Sequence, residues 1–154
     1  MKVPLTFLSL IALLQAADAP PRKVVFVCEH GAAKSVLAAA EFERMAKDRG
    51  LSFTAIARGT DIDPELAASV VKGLQSDGLK PGVAKPVKVA AQDTAGAARV
   101  VSFGPDLKAV VPKGGTLLDW SATPSPGKDY QAARDYIRKQ LEGLFVQLEA
   151  ESKR

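Results

Sequence analysis

The sequence predicts an α/β fold: a three-layer sandwich in which a doubly wound, four-stranded parallel sheet carries helices on both faces. Three observations predict it. Short apolar runs of β-formers alternate along the chain with segments of helical period. The first run, Val24 to Cys28, is apolar throughout, as a strand buried on both faces of a parallel sheet requires. A length of 154 residues supplies one full core and is too short for two domains. With 47% apolar and 25% charged residues, the composition is that of a globular protein and excludes disordered and fibrous classes.

In chain order, residues 1–19 read as a secretory leader, with an uncleaved anchor or a buried amphipathic helix as the alternatives. Lys2 supplies a positive charge, and Leu5 to Leu14 is apolar except for Thr6 and Ser9. Ala17-Asp18-Ala19 then forms a small-x-small pattern before Pro20-Pro21, so cleavage is expected after Ala19. The apolar stretch is too short for a permanent membrane anchor, and the product is expected in the periplasm or outside the cell. Residues 20–154 then form the folded domain.

After the first strand, Val36 to Arg49 is a helix with a broad apolar side, and Gly50 suits its C-terminal cap. Leu51 to Ala57 alternates as a second strand. Asp63-Pro64-Glu65 starts a helix running to about Gln75, with Asp63 as N-cap and proline at the first position. Ala90 to Ala98 is a short helix, Arg99 to Phe103 the third strand, and Thr116 to Leu118 the fourth. Trp120 either lines a site entrance or covers the core edge. Tyr130, Ala133, Ile137, Leu141, Leu144, Phe145 and Leu148 recur at spacings of three and four, a stripe that packs a long helix on the sheet.

The turn between the first strand and first helix carries the chemistry. Cys28, the only cysteine, closes the strand, and Glu29-His30-Gly31-Ala32-Ala33-Lys34-Ser35 leads into the helix. Gly31 accepts a positive φ without steric cost, so the backbone can curl and aim successive N–H groups at one point. The helix N-terminus adds its positive dipole end there. Residues 29–35 are therefore the predicted anion site, with Lys34 as the charge at its rim. Ser35 either caps the helix or bonds the sulfur. A thiolate set against such a cradle suits nucleophilic displacement at phosphorus or arsenic. His30 is the only histidine; it either tunes Cys28, bonds within the loop or lies on the surface, and no cluster of partners makes it a metal ligand.

The run Val24 to Ser35 resembles the phosphate loop of the low-molecular-weight protein tyrosine phosphatases and the phosphatase-type arsenate reductases: apolar strand, cysteine, five residues, arginine, serine, helix. The likeness extends to Ala57-Arg58-Gly59-Thr60, to Ala98 through Phe103, and to Trp120 through Tyr130. The resemblance implies that Cys28 is the nucleophile and Ser35 the serine that steadies it. Three positions depart from the family pattern. Lys34 replaces an arginine, exchanging a planar fork for a point charge and weakening the grip on an oxyanion. Gly31 replaces an asparagine, and Ser125 stands before Pro126 where the family carries an aspartate that protonates the leaving group. Asp119 and Asp129 are the carboxylates near enough in sequence to replace it.

The function expected is that of an exported phosphatase hydrolysing phosphomonoesters through a cysteinyl-phosphate on Cys28, slowed by Lys34 and by the missing acid. Two alternatives stand beside it: a module that binds phosphate or arsenate without turnover, and an arsenate reductase that uses an external thiol, since one cysteine offers no internal relay. The partner implied is a phosphate-like oxyanion or a phosphorylated substrate, with no cofactor and no metal. The net charge of +4 favours anions, while the chain has no basic run or aromatic platform for nucleic acid. Arg58 and Lys72 are expected in solvent, Arg58 with an option of facing the anion.

Overall fold

The computed structural model describes residues 21–154, so the expected leader lies outside the described residues. The elements run β1 (Arg22–Cys28), α1 (Lys34–Asp48), β2 (Phe53–Gly59), α2 (Ala68–Ser76), α3 (Ala91–Thr94), β3 (Arg99–Ser102), β4 (Leu117–Asp119) and α4 (Tyr130–Ser152). The four strands form one sheet in the order β2-β1-β3-β4, every pair parallel. That is the α/β architecture its alternation of strands and helices predicts. The register places Cys28 beside Gly59 and Val27 beside Ser102, so the carboxyl ends of three strands converge where β1 leaves the sheet. Open parallel sheets hold ligands at that edge.

Each face of the sheet has its own core. Val24, Phe26 and Cys28 face α1, α2 and α4, joined by Phe42, Met45, Leu74, Ile137, Leu141 and Phe145. Val25 and Val27 face the other way, with Val100 and Leu107, under a thinner cover made by Val89, Ala97 and Val110–Val111. The two-residue alternation of an extended chain produces this split, and burial on both sides is why β1 carries no polar residue from Val24 onward. The helical stripe is buried from Ala133 to Leu148 as its spacing requires, Tyr130 is half-buried, and α4 continues to Ser152. Gly50 adopts φ +63° after α1, with its amide on Lys47 O (3.0 Å) and that of Leu51 on Ala46 O (2.9 Å), a Schellman closure. Trp120 is buried at 5.9 Å from Phe26 and 6.0 Å from Phe103, ring centroid to ring centroid, so it covers the core.

Two local expectations are corrected. The helix expected from Asp63 begins at Ala68, and residues 60–67 instead run along the Cys28 loop and bond to its carbonyls. Those tertiary bonds outweigh a local N-cap. Arg58 is neither solvated nor aimed at the site, because it shares the Val27 face and pairs with Asp93 at 3.0 Å.

This pair makes a pH prediction. Burial alone would raise the Asp93 carboxyl, but the Arg58 hydrogen bond, the Ala90 amide and nearby positive charge outweigh it and hold it below its ordinary value of 3.8. A carboxyl depressed in the folded state stabilises above the unfolded value and loses that contribution as pH falls through the lower folded one. Asp93→Asn should therefore cost about 1 kcal/mol at neutral pH and flatten the acid limb of stability below pH 3.8, checked by urea unfolding across pH.

Candidate active site

The geometry of the loop follows from where its carbonyls go. The amide of Thr60 donates to Glu29 O (2.9 Å) and Cys28 O (3.2 Å), that of Asp61 to Glu29 O (2.8 Å), that of Asp63 to His30 O (3.0 Å) and that of Ala67 to Ala32 O (3.0 Å). With the carbonyls turned outward, the amides of residues 29–35 turn the other way. None of them donates to a backbone or side-chain acceptor among the described residues. A row of unspent N–H groups ahead of a helix N-terminus is a concave anion cradle. Gly31 at φ +64° makes the curl possible.

Gly59 sets how closely the loop sits on the sheet. A Cβ on Gly59 would lie 2.5 Å from Gly31 N and 2.7 Å from its Cα. Gly59 is also held from its outer side, its amide donating to Val87 O and its carbonyl accepting from Val89 N, both at 2.9 Å. The sequence reading assigned Gly59 no role; the signal for it was a glycine in an extended strand, which marks close backbone approach.

Cys28 is buried, with 7% of its surface exposed, and its Sγ lies 3.1 Å from Ser35 Oγ. Ser35 is fully buried and α1 has Ala33 at its N-cap with no side-chain cap bond, so the hydroxyl serves the sulfur and not the helix end. A thiol donates to that oxygen; a thiolate accepts from it. The sulfur borders a cleft of about 230 Å³, walled by Phe103, Pro126 and Ser125 and flanked by Ala33 and Lys34. Lys34 is half-buried on the first residue of α1 and its ammonium has no acidic partner among the described residues. Lys34 thus brings to the lining of the cleft a positive charge that no carboxylate of the described residues neutralises.

Glu29 and His30 also border the cleft. His30 Nδ1 lies 3.1 Å from Asp61 O and 3.4 Å from Asp63 Oδ1, and Nε2 lies 3.8 Å from Glu29 Oε2. No group of three or more His, Cys, Asp or Glu among the described residues is placed to hold a metal ion.

The two carboxylates considered as proton donors are both committed elsewhere. Asp119 ends β4, outside the cleft, and accepts the Ser121 amide at 2.8 Å; the Ser121 side chain first and that amide second hold its carboxyl below the ordinary value. Asp129 is the N-cap of α4 and accepts the Ala132 amide at 2.9 Å. Neither lines the cleft, whereas Ser125 does. Position in sequence brought all three near; the turn at residues 123–129 decides which one faces Cys28. That turn closes with the amides of Lys128 and Asp129 on Ser125 O, both at 3.1 Å.

The four-stranded parallel sheet with its helices is the fold shared by low-molecular-weight protein tyrosine phosphatases and arsenate reductases. The chain is similar to a thioredoxin-dependent arsenate reductase of Corynebacterium glutamicum (22% identity, TM-score 0.72), over 88% of this chain and 66% of that one. It is similar to a protein tyrosine phosphatase of Entamoeba histolytica (17% identity, TM-score 0.73), over 85% of this chain and 99% of the other. It is also similar to an arsenate reductase of Archaeoglobus fulgidus (28% identity, TM-score 0.61), over 79% and 97% of the two chains. No protein-family model and no curated protein matches the sequence. The structural likenesses agree with the family resemblance carried by residues 24–35.

Proposed function

We propose that this chain is an exported phosphatase that hydrolyses phosphomonoesters through a cysteinyl-phosphate on Cys28. The observation that carries the reading is the buried sulfur 3.1 Å from Ser35 Oγ, at the base of a cleft whose loop amides are unspent. In this reading the amides of residues 29–35 and the Lys34 ammonium hold the three non-bridging oxygens. Cys28 as thiolate attacks phosphorus, the S–P bond forms, and the P–O bond to the leaving group breaks. Ser35 donates to the sulfur before attack and again when water displaces it from phosphorus. Lysine at position 34 holds the spread charge of the transition state less well than a fork of donors, so turnover is slow. The residues before Pro20 are removed on export.

Turnover of an aryl phosphate by the wild type and by Cys28→Ser tests the chemistry. The wild type should release phosphate and the variant should not, while still binding inorganic phosphate by calorimetry; equal rates in the two sink the proposal. Export is checked by the N-terminus of the protein recovered from the periplasm, which should begin at Pro20. Arsenate-dependent oxidation of added glutathione, lost in Cys28→Ser, would favour reduction instead. Tight phosphate binding with no turnover in any condition would favour the module that binds without reacting.

A further inference from the structure

The cleft has no proton donor among the residues already assigned: neither Asp119 nor Asp129 lines it, Ser125, which does, is too weak an acid to protonate a departing alkoxide, and the one carboxylate in its lining, Glu29, lies 3.8 Å from the His30 ring and serves that ring. We propose that His30 Nε2 is the proton donor to the leaving group, and that the same nitrogen takes the proton of the attacking water in the second step. The inference rests on the phosphatase reading of Cys28 and extends it.

Four observations support the assignment. His30 borders the same cleft as Cys28, two residues away along the loop. Its side chain is 54% exposed, so the ring is open to solvent and to an arriving substrate. Asp61 O is 3.1 Å from Nδ1, and a carbonyl can only accept, so Nδ1 carries a hydrogen and donates it there. That leaves Nε2 as the nitrogen that gains and loses a proton. Finally, the ring is held between Asp63 Oδ1, 3.4 Å from Nδ1, and Glu29 Oε2, 3.8 Å from Nε2, two negative charges that complement an imidazolium. The segment that pins the ring is the one that pins the loop: the Asp61 amide donates to Glu29 O and the Asp63 amide to His30 O. Ring and cradle therefore share one frame. An imidazole so fixed resembles the oriented bases of nucleophilic enzymes, where one nitrogen is tied to an acceptor and the other does the transfer.

The proton balance is complete. In the first step the thiolate sulfur bonds to phosphorus, the P–O bond breaks, and the departing oxygen takes the Nε2 proton, leaving neutral imidazole. In the second, water attacks phosphorus, Nε2 takes one of its protons, the S–P bond breaks, and thiolate and phosphate are released with imidazolium restored.

The test is the dependence of the loss on the leaving group. His30→Asn keeps an amide able to donate to Asp61 O but has nothing at Nε2; His30→Gln places an amide near Nε2 that cannot ionise. In both, kcat/KM for phenyl phosphate should fall on the order of 100-fold, while that for dinitrophenyl phosphate, whose leaving group departs unprotonated, should fall less than about 5-fold. Inorganic phosphate should bind both variants within about 3-fold of the wild type, since the loop amides are untouched. Equal losses on the two esters, or a collapse of phosphate binding, would overturn the assignment and leave Cys28 chemistry standing. If the wild type hydrolyses neither ester, the phosphatase reading itself fails, and the role of His30 with it.

Discussion

Gly59→Ala is expected to unseat the Cys28 loop. The added methyl would meet Gly31 N at 2.5 Å, Gly31 Cα at 2.7 Å and His30 C at 2.9 Å, all backbone atoms with no side chain to swing aside. Relief requires parting β2 from the loop, which stretches the bonds from Thr60 and Asp61 to Glu29 O. Overpacking of this kind costs about 3 kcal/mol, the upper end of its usual range, because both partners are main chain. The effect on anion binding should be larger in proportion. Each amide–oxyanion bond is charge-assisted and worth about 1.5–3 kcal/mol, so misaiming two weakens phosphate affinity on the order of 100-fold or more. Gly143→Ala is the control: its Cβ meets nothing within 4 Å in the middle of α4, and the change should raise stability by up to about 1 kcal/mol. Urea midpoints and phosphate calorimetry on the pair decide it. A Gly59→Ala protein with wild-type midpoint and affinity would show that the glycine contact does not position the loop.

The second large effect should come from Glu41. It lies on α1 with no exposed surface, an uncommon place for a carboxylate, and its two oxygens accept from Arg138 Nη2 (2.8 Å) and Nε (3.0 Å) and from Arg44 Nη2 (2.9 Å). Beside it, Asp77 at the end of α2 accepts from Tyr130 Oη and Arg134 Nη1, each at 2.9 Å. Together these ion pairs fasten the first turns of α4 to α1 and α2, and α4 follows directly on the turn that presents Ser125 and Pro126 to the cleft. Glu41→Gln removes the charge and leaves two guanidinium groups under-matched, which should cost about 3 kcal/mol or more. Replacing Glu41 and Arg138 by apolar residues of similar size, Glu41→Leu with Arg138→Met, should recover much of that loss, because Arg44 keeps Asp48 at 3.2 Å and only one guanidinium, already matched, remains. A double variant no more stable than Glu41→Gln would mean that the network's worth lies in its geometry and not in its charge balance.

Some of this protein is written in local sequence. The apolar run Val24–Val27, the stripe through α4 and Gly50 after α1 each carry their signal within a few residues, because strand burial, helix period and capping are local physics. The candidate nucleophile was legible for the same reason: a cysteine at a strand end, with five residues between it and Lys34-Ser35, is a pattern in consecutive positions. What escaped were contacts between stretches far apart in the chain. Asp63 has the residue type of an N-cap, yet its amide serves His30 O, and Ala67 serves Ala32 O. Arg58 was expected in solvent and is bound to Asp93, 35 residues on.

By itself, then, the sequence determined the order of strands and helices, the place of the lone cysteine at the end of β1 and the small, curling character of the loop behind it. Only the tertiary structure decided that Gly59 lets that loop lie against β2, that Asp119 and Asp129 spend their oxygens on backbone amides, and that His30 is tethered to Asp61 in the lining of the cleft that Cys28 borders. The reason is the range of the forces. Backbone propensity and side-chain periodicity act over one or two turns of chain, whereas a hydrogen bond or a steric contact acts between whatever folding brings within a few ångströms, however many residues lie between.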